Sequence, residues 1–160
     1  MKRLNIIKSV LHNLLTWESE DVNMAGYKFI EDLTSDVMFE AYGKDLKEVF
    51  QNAAMALSSV ICKIDRIRPR KPVEIRANGD GAKELMFNWL QELIASVDVH
   101  GMFFSKFEIA EIDEHHMKAK IWGEGIRPEN GNTVVKAVTY YKFRFEKKPN
   151  GYAARVALDI

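Results

Sequence analysis

Hydrophobic and polar positions alternate along two short runs, residues 25–33 and 35–42, and the alternation puts Val37, Phe39 and Ala41 on one face of a strand. Gly43 interrupts this period of two. The spacing then lengthens. Leu46, Val49, Phe50, Ala53, Ala54, Leu57, Val60 and Ile61 recur as one stripe, which predicts a helix of about 20 residues opened by Lys44-Asp45. An acid at that position suits the positive end of the helix dipole.

Pro69 and Pro72 close a basic linker that holds Arg66, Arg68, Arg70 and Lys71. Prolines there end the helix and favour extended backbone. Val73, Ile75 and Ala77 alternate as a strand, and Asn78-Gly79-Asp80-Gly81 reads as a turn. Leu85, Met86, Trp89, Leu90, Leu93, Ile94 and Val97 form a second helical stripe over 81–98, with Asp80 as its expected N-cap. After Gly101 the pattern returns to strands. Phe103 to Ile112 and Met117 to Trp122 flank Asp113-Glu114-His115 as a hairpin. A polar loop runs from Gly123 to Thr133, and Val134–Phe145 is a further strand. Lys148-Pro149-Asn150-Gly151 then turns into a last strand, Tyr152–Leu158. Two long helices with six or more mostly antiparallel strands predict an α+β domain of two layers.

At 160 residues the chain suits one domain with an unstapled core. Its 23 basic and 23 acidic residues cancel, so a nucleic acid or membrane would have to be met through a local patch. The one cysteine, Cys62, lies in the first helical stripe; it reads as a buried apolar residue and suits a reducing, cytoplasmic setting. No Cys/His metal spacing, phosphate-binding glycine loop, Ser/His/Asp order or apolar run of membrane-spanning length stands out. No catalytic residue is assigned.

Leu4, Ile7, Leu11, Leu14 and Leu15 are spaced as on a helix, so residues 1–23 read as an N-terminal extension, either an amphipathic helix or a tail without fixed structure. Met24 opens a stretch complete enough for a domain over 24–160, which leaves an upstream translation artefact open.

The final residues are Ala-Leu-Asp-Ile. Asp159 and the α-carboxyl of Ile160 thus stand together after a strand, and Asp36 opens another strand far upstream. Three carboxylates suffice for a hard cation if the strand ends adjoin, and oxygen ligands without Cys or His favour calcium or magnesium over zinc. The alternative is an Asp36 that caps a turn and a solvated tail.

Several segments together resemble the archease family. They are TSDVMFEAYGKDLKEVFQNAAMAL, ELMFNWLQELIASVDVHGMFFSKFEI, GEGI, VVKAVTYYKFRF and the terminal ALDI, in order from about Tyr27 to Ile160. The resemblance implies a strand-helix-strand-strand module with a second such unit inserted. It implies an accessory protein, not an enzyme, that promotes guanylylation and multiple turnover of the RtcB-type RNA ligase in tRNA splicing. Contact with tRNA would be indirect and no membrane would be involved. The family's metal ligands fall on Asp36, Asp159 and Ile160, and the ion implied is calcium or another divalent cation. Two histidines of the usual pattern are replaced, by Leu33 and by Tyr141, and Gly131-Asn132-Thr133 carries no histidine either. The carboxylates survive these changes; an imidazole does not.

Two other readings remain open: a small-molecule effector-binding module and a chaperone-like interaction protein. Arg66, Arg68, Arg70 and Lys71 read as phosphate contacts or as a solvated linker. His115-His116 reads as a hairpin tip, Trp89 and Phe50 as core, and Trp122 as core or a partner-facing aromatic. Lys136 and Thr139 belong to an exposed face or line the site.

Overall fold

The computed structural model describes residues 26–31 and 36–160. The expected N-terminal extension, residues 1–23, and Leu33 lie outside the described residues.

Seven strands and two α-helices are described: β1 Gly26–Ile30, β2 Val37–Gly43, α1 Leu46–Ile61, β3 Lys71–Asn78, α2 Ala82–His100, β4 Met102–Ile112, β5 His116–Gly125, β6 Ala137–Lys148 and β7 Gly151–Asp159. The strands divide into two sheets, β1-β2-β7-β6 and β3-β5-β4, and every pairing is antiparallel. β2, α1, β6 and β7 make one strand-helix-strand-strand unit. β3, α2, β4 and β5 make a second, inserted between α1 and β6.

The helices join the sheets. α1 packs on β2 and β4, and α2 packs on β3 and β6. Their apolar stripes meet in one core that takes Phe39 and Val156 from the first sheet and Ile75 and Ile121 from the second. Trp89 and Phe50 are fully buried there, and the Trp89 indole N–H donates to the Phe50 carbonyl at 3.0 Å. This satisfies a donor that burial would otherwise leave unpaired. Cys62 is buried as expected, and its thiol donates to the Ser58 carbonyl at 3.3 Å.

Asp45 caps α1 by accepting the Glu48 amide at 2.8 Å. The cap of α2 differs from the expectation: Gly81, not Asp80, is the N-cap, with φ of 103° and no side-chain cap bond. A glycine reaches that backbone angle at low cost, and an aspartate one residue earlier is set too far back. The sixth strand also begins later than the apolar run suggests. Val134 is 81% exposed and Ala137 is the first strand residue. The amides of Asn132 and Thr133 instead donate to the Ile61 and Val60 carbonyls, at 2.9 and 3.1 Å, and so cap the end of α1.

Candidate functional site

The β2–β7 ladder ends with Val37 opposite Leu158, and Asp36 and Asp159 are the next residues outward on the two chains. Asp159 pairs with Ala137 of β6, and its carbonyl accepts the Lys136 amide at 2.8 Å. The final strand is thus held between β2 and β6 as far as Leu158, and by β6 at Asp159. Asp36 is half-buried, Asp159 is exposed and Ile160 is 41% exposed. Asp36, Asp159 and Ile160 thus fall at the same end of the first sheet.

Alternation puts Met38, Glu40 and Tyr42 on one face of β2 and Ala153, Arg155 and Ala157 on the matching face of β7. Asp36 and Asp159 belong to this face, which points away from α1. Thr139, opposite Ala157, lies one row inward, and its Oγ1 is buried with no partner among the described residues. Two carboxylates, a main-chain terminus and an unpartnered hydroxyl are an all-oxygen set, and this fits a hard cation. Among the described residues no three His, Cys, Asp or Glu side chains gather to hold an ion.

Along the same face runs a row that the strand pattern did not single out. Lys28, Glu40, Arg155 and Arg144 are cross-strand neighbours from β1 to β6. Glu40 is fully buried. One of its carboxylate oxygens accepts from Arg155; the other accepts the Tyr42 hydroxyl and lies 3.7 Å from Lys28 Nζ. A charged residue of opposite sign on each of two apolar strands is the signal that would have found the pair.

β6 leaves the ladder between Thr139 and Arg144. Within this bulge Lys142 has φ of 50°, rare for a residue with a side chain, and Tyr140 stacks on Phe87 of α2 with centroids 4.1 Å apart. Tyr141 sits in the same bulge and is 40% exposed.

The other candidates stand apart. His115 and His116 are exposed at the β4–β5 hairpin, where their amides bond Asp113 Oδ1 and hold that carboxyl below the usual range. Arg66, Arg68, Arg70 and Lys71 are exposed. Trp122 is half-buried on the outer face of β5, with Lys106 Nζ 4.4 Å from its ring centroid. No described helix is long and apolar enough to cross a membrane.

Known proteins with this arrangement were found by sequence and by shape. The profile of the Archease protein family (MTH1598/TM1083) matches residues 27–160. The protein named Protein archease of Sulfurisphaera tokodaii is 35% identical over 141 residues, covering 86% of this chain and 100% of that protein. A Protein archease of Saccharolobus islandicus is 37% identical over 140 residues, with coverage of 86% and 100%. The solution structure of Methanobacterium thermoautotrophicum protein 1598 superposes with a TM-score of 0.66 at 33% identity, covering 86% of this chain and 100% of that one. The crystal structure of a Thermotoga maritima archease, described as a possible chaperone, shares the fold with a TM-score of 0.57 at 18% identity, covering 79% and 92%. Two-thirds coverage at more than 30% identity, together with a family match over nearly every described residue, leads to one conclusion: the chain belongs to the archease family.

Proposed function

We propose that this chain is an accessory protein of an RtcB-type RNA ligase in tRNA splicing. It promotes guanylylation and multiple turnover of that ligase, makes no phosphodiester bond itself and works in the cytoplasm. Family membership supports the accessory role. The observation that supports the site is the pairing of Val37 with Leu158, one residue inward of Asp36 and Asp159.

Asp36, Asp159 and the Ile160 carboxylate would hold a divalent cation, calcium in the first instance. A bound cation supplies positive charge that offsets the clustered carboxylates and attracts phosphate oxygens. The chain's own contribution is position. β7 is paired on both sides up to Leu158 and with β6 at Asp159, so Asp159 and Ile160 would present their oxygens at an ordered sheet end. Docked beside the ligase nucleotide pocket, such an end can favour the ligase conformation that accepts the guanylyl group.

The test is single-turnover guanylylation of the cognate ligase. Wild-type chain should accelerate it, and Asp36→Ala and Asp159→Ala should each remove most of the acceleration. Full activation by both variants would leave docking alone as the mechanism. No effect of the wild type on the ligase would end the accessory reading.

One observation favours a second reading, an effector-binding module. A cavity of about 370 Å³ lies between α2 and the loop after β5, lined by Ile61, Ile94, Val97, Phe103, Ile126 and Val135 among others. It is mostly apolar and of the size that small ligands occupy. Stabilisation by an apolar ligand in the absence of any partner would favour it.

A further inference from the structure

The outer face of the second sheet is ordered in cross-strand rows. Glu74–Lys120–Glu108 carries one net negative charge and Arg76–Lys118–Glu111 one net positive charge, so the two rows neutralise one another. The row Pro72–Trp122–Lys106 holds no acid, and here the face turns basic. Arg70 continues it: its amide donates to the Gly123 carbonyl at 3.2 Å, and its guanidinium lies 3.5 Å from Glu124. Just beyond, Arg70, Lys71 and Arg127 line an open cavity of about 340 Å³ in which Glu124 is the one acid among the described residues. Lys106 and Lys120 place their ammonium groups 4.4 and 5.9 Å from the Trp122 ring centroid.

We propose that this Trp122 end of the second sheet binds single-stranded RNA, with Arg70, Lys71 and Arg127 holding phosphates and Trp122 stacking on a base. Cations around an aromatic ring on a sheet face are the two halves of single-strand recognition: charge tracks the backbone and the ring takes a base of any identity. A duplex is disfavoured because its bases are stacked inside and cannot reach a half-buried ring on a sheet face. An acidic peptide would use the cations but gain nothing from the indole. Lys106 lies over the ring in the free protein; a stacking base takes its place, and that flexible ammonium group is then available to a phosphate. The inference goes beyond the accessory reading. Its assay contains neither ligase nor added metal, so its failure would leave the carboxylate site as it stands.

The experiment is fluorescence anisotropy with the full chain and a labelled single-stranded RNA of about ten nucleotides, within the span that one sheet-based module covers. Binding should weaken with salt. Joint substitution Arg70→Gln, Lys71→Gln and Arg127→Gln should flatten the slope of log affinity against log salt by roughly two, the share of three phosphate contacts on a single strand. Trp122→Ala should weaken binding roughly fivefold or more without changing that slope. Lys47→Gln, Lys83→Gln and Lys147→Gln together, exposed and remote from the cavity, should leave the slope unchanged. All substituted cations are exposed, and circular dichroism checks that each variant is folded. The proposal is overturned by no binding at low salt, by equal slopes in the two triple variants, by a Trp122→Ala affinity equal to wild type, or by a duplex or an acidic peptide that binds as well as the single strand.

Discussion

Glu40 and Arg155 face each other across β2 and β7, and Arg155 donates from Nε and Nη2 to one Glu40 oxygen, at 3.1 and 2.6 Å. Both are nearly inaccessible to solvent, at 0% and 3% exposure. Removing one partner of such a pair strands the other charge in a medium that cannot solvate it. Glu40→Ala should therefore lower the unfolding free energy by about 3–5 kcal/mol, read from urea denaturation. The double variant Glu40→Leu, Arg155→Met should lose clearly less than Glu40→Ala, because no charge is then left unpaired between the two strands. A larger loss in the double variant would mean that the pair contributes more than it costs.

A second prediction concerns the terminus. Under the proposed cation site, amidating the Ile160 carboxyl or appending one glycine removes or moves a charged ligand. Calcium affinity by calorimetry should fall by roughly tenfold or more, a loss that even an outer partner of a metal ligand can cause. Asp159→Asn should act in the same direction. Unchanged affinity in the extended protein would exclude the terminal carboxylate as a ligand.

Cys62 supplies a prediction about pH. Burial pushes its thiol pKa up, with the Ser58 hydrogen bond opposing more weakly. The folded chain then binds the thiol proton more tightly than the unfolded chain does. This contribution is complete below the unfolded thiol value of about 8.5 and is lost as pH rises through the higher folded value. Stability should decline above that pH less steeply in Cys62→Ala than in wild type. A thiol reagent at pH 8 should label the native chain only at the rate of opening, and denaturant should release full reactivity. Rapid labelling of the folded chain would contradict the burial.

Gly123 gives a test of close packing between strands. A Cβ added there would lie 1.8 Å from the Phe103 carbonyl oxygen, on backbone that cannot rotate away. Gly123→Ala should destabilise by about 1–3 kcal/mol or more, seen as a lower thermal midpoint. Gly125, where an added Cβ meets nothing within 4 Å, is the matched control.

Much of this architecture was legible in the order of residue types. The stripe from Leu46 to Ile61 pointed to the first helix, since the 3.6-residue period is local; Asp45 was read for its charge, and its side-chain cap on the Glu48 amide came from the structure. The start of β6 was not, because Val134 and Val135 look like strand residues while the amides just before them are needed by the end of α1. Nor was the division into two sheets, since a period of two says which residues share a face but not which strand lies alongside. The same limit applied at the site. Asp36 and Asp159 were identifiable as candidates, but that they fall at one sheet end depends on a pairing between strands far apart in the sequence. The Trp122 corner was only half visible: the basic run stood out, and the ring with Lys106 and Arg127 required the sheet.

The loop that caps α1 has a consequence for how this molecule tolerates change. The inserted unit departs just after Cys62 and returns at Gly131, and those two residues bridge one another, with the Lys63 amide bonded to the Asn130 carbonyl at 2.8 Å. An insert whose entry and exit are clasped together is a closed bight: its lengthening or trimming need not be felt by the chain on either side. The second sheet can thus diversify its outward surface over generations while β7 continues to deliver its last two residues to the same place.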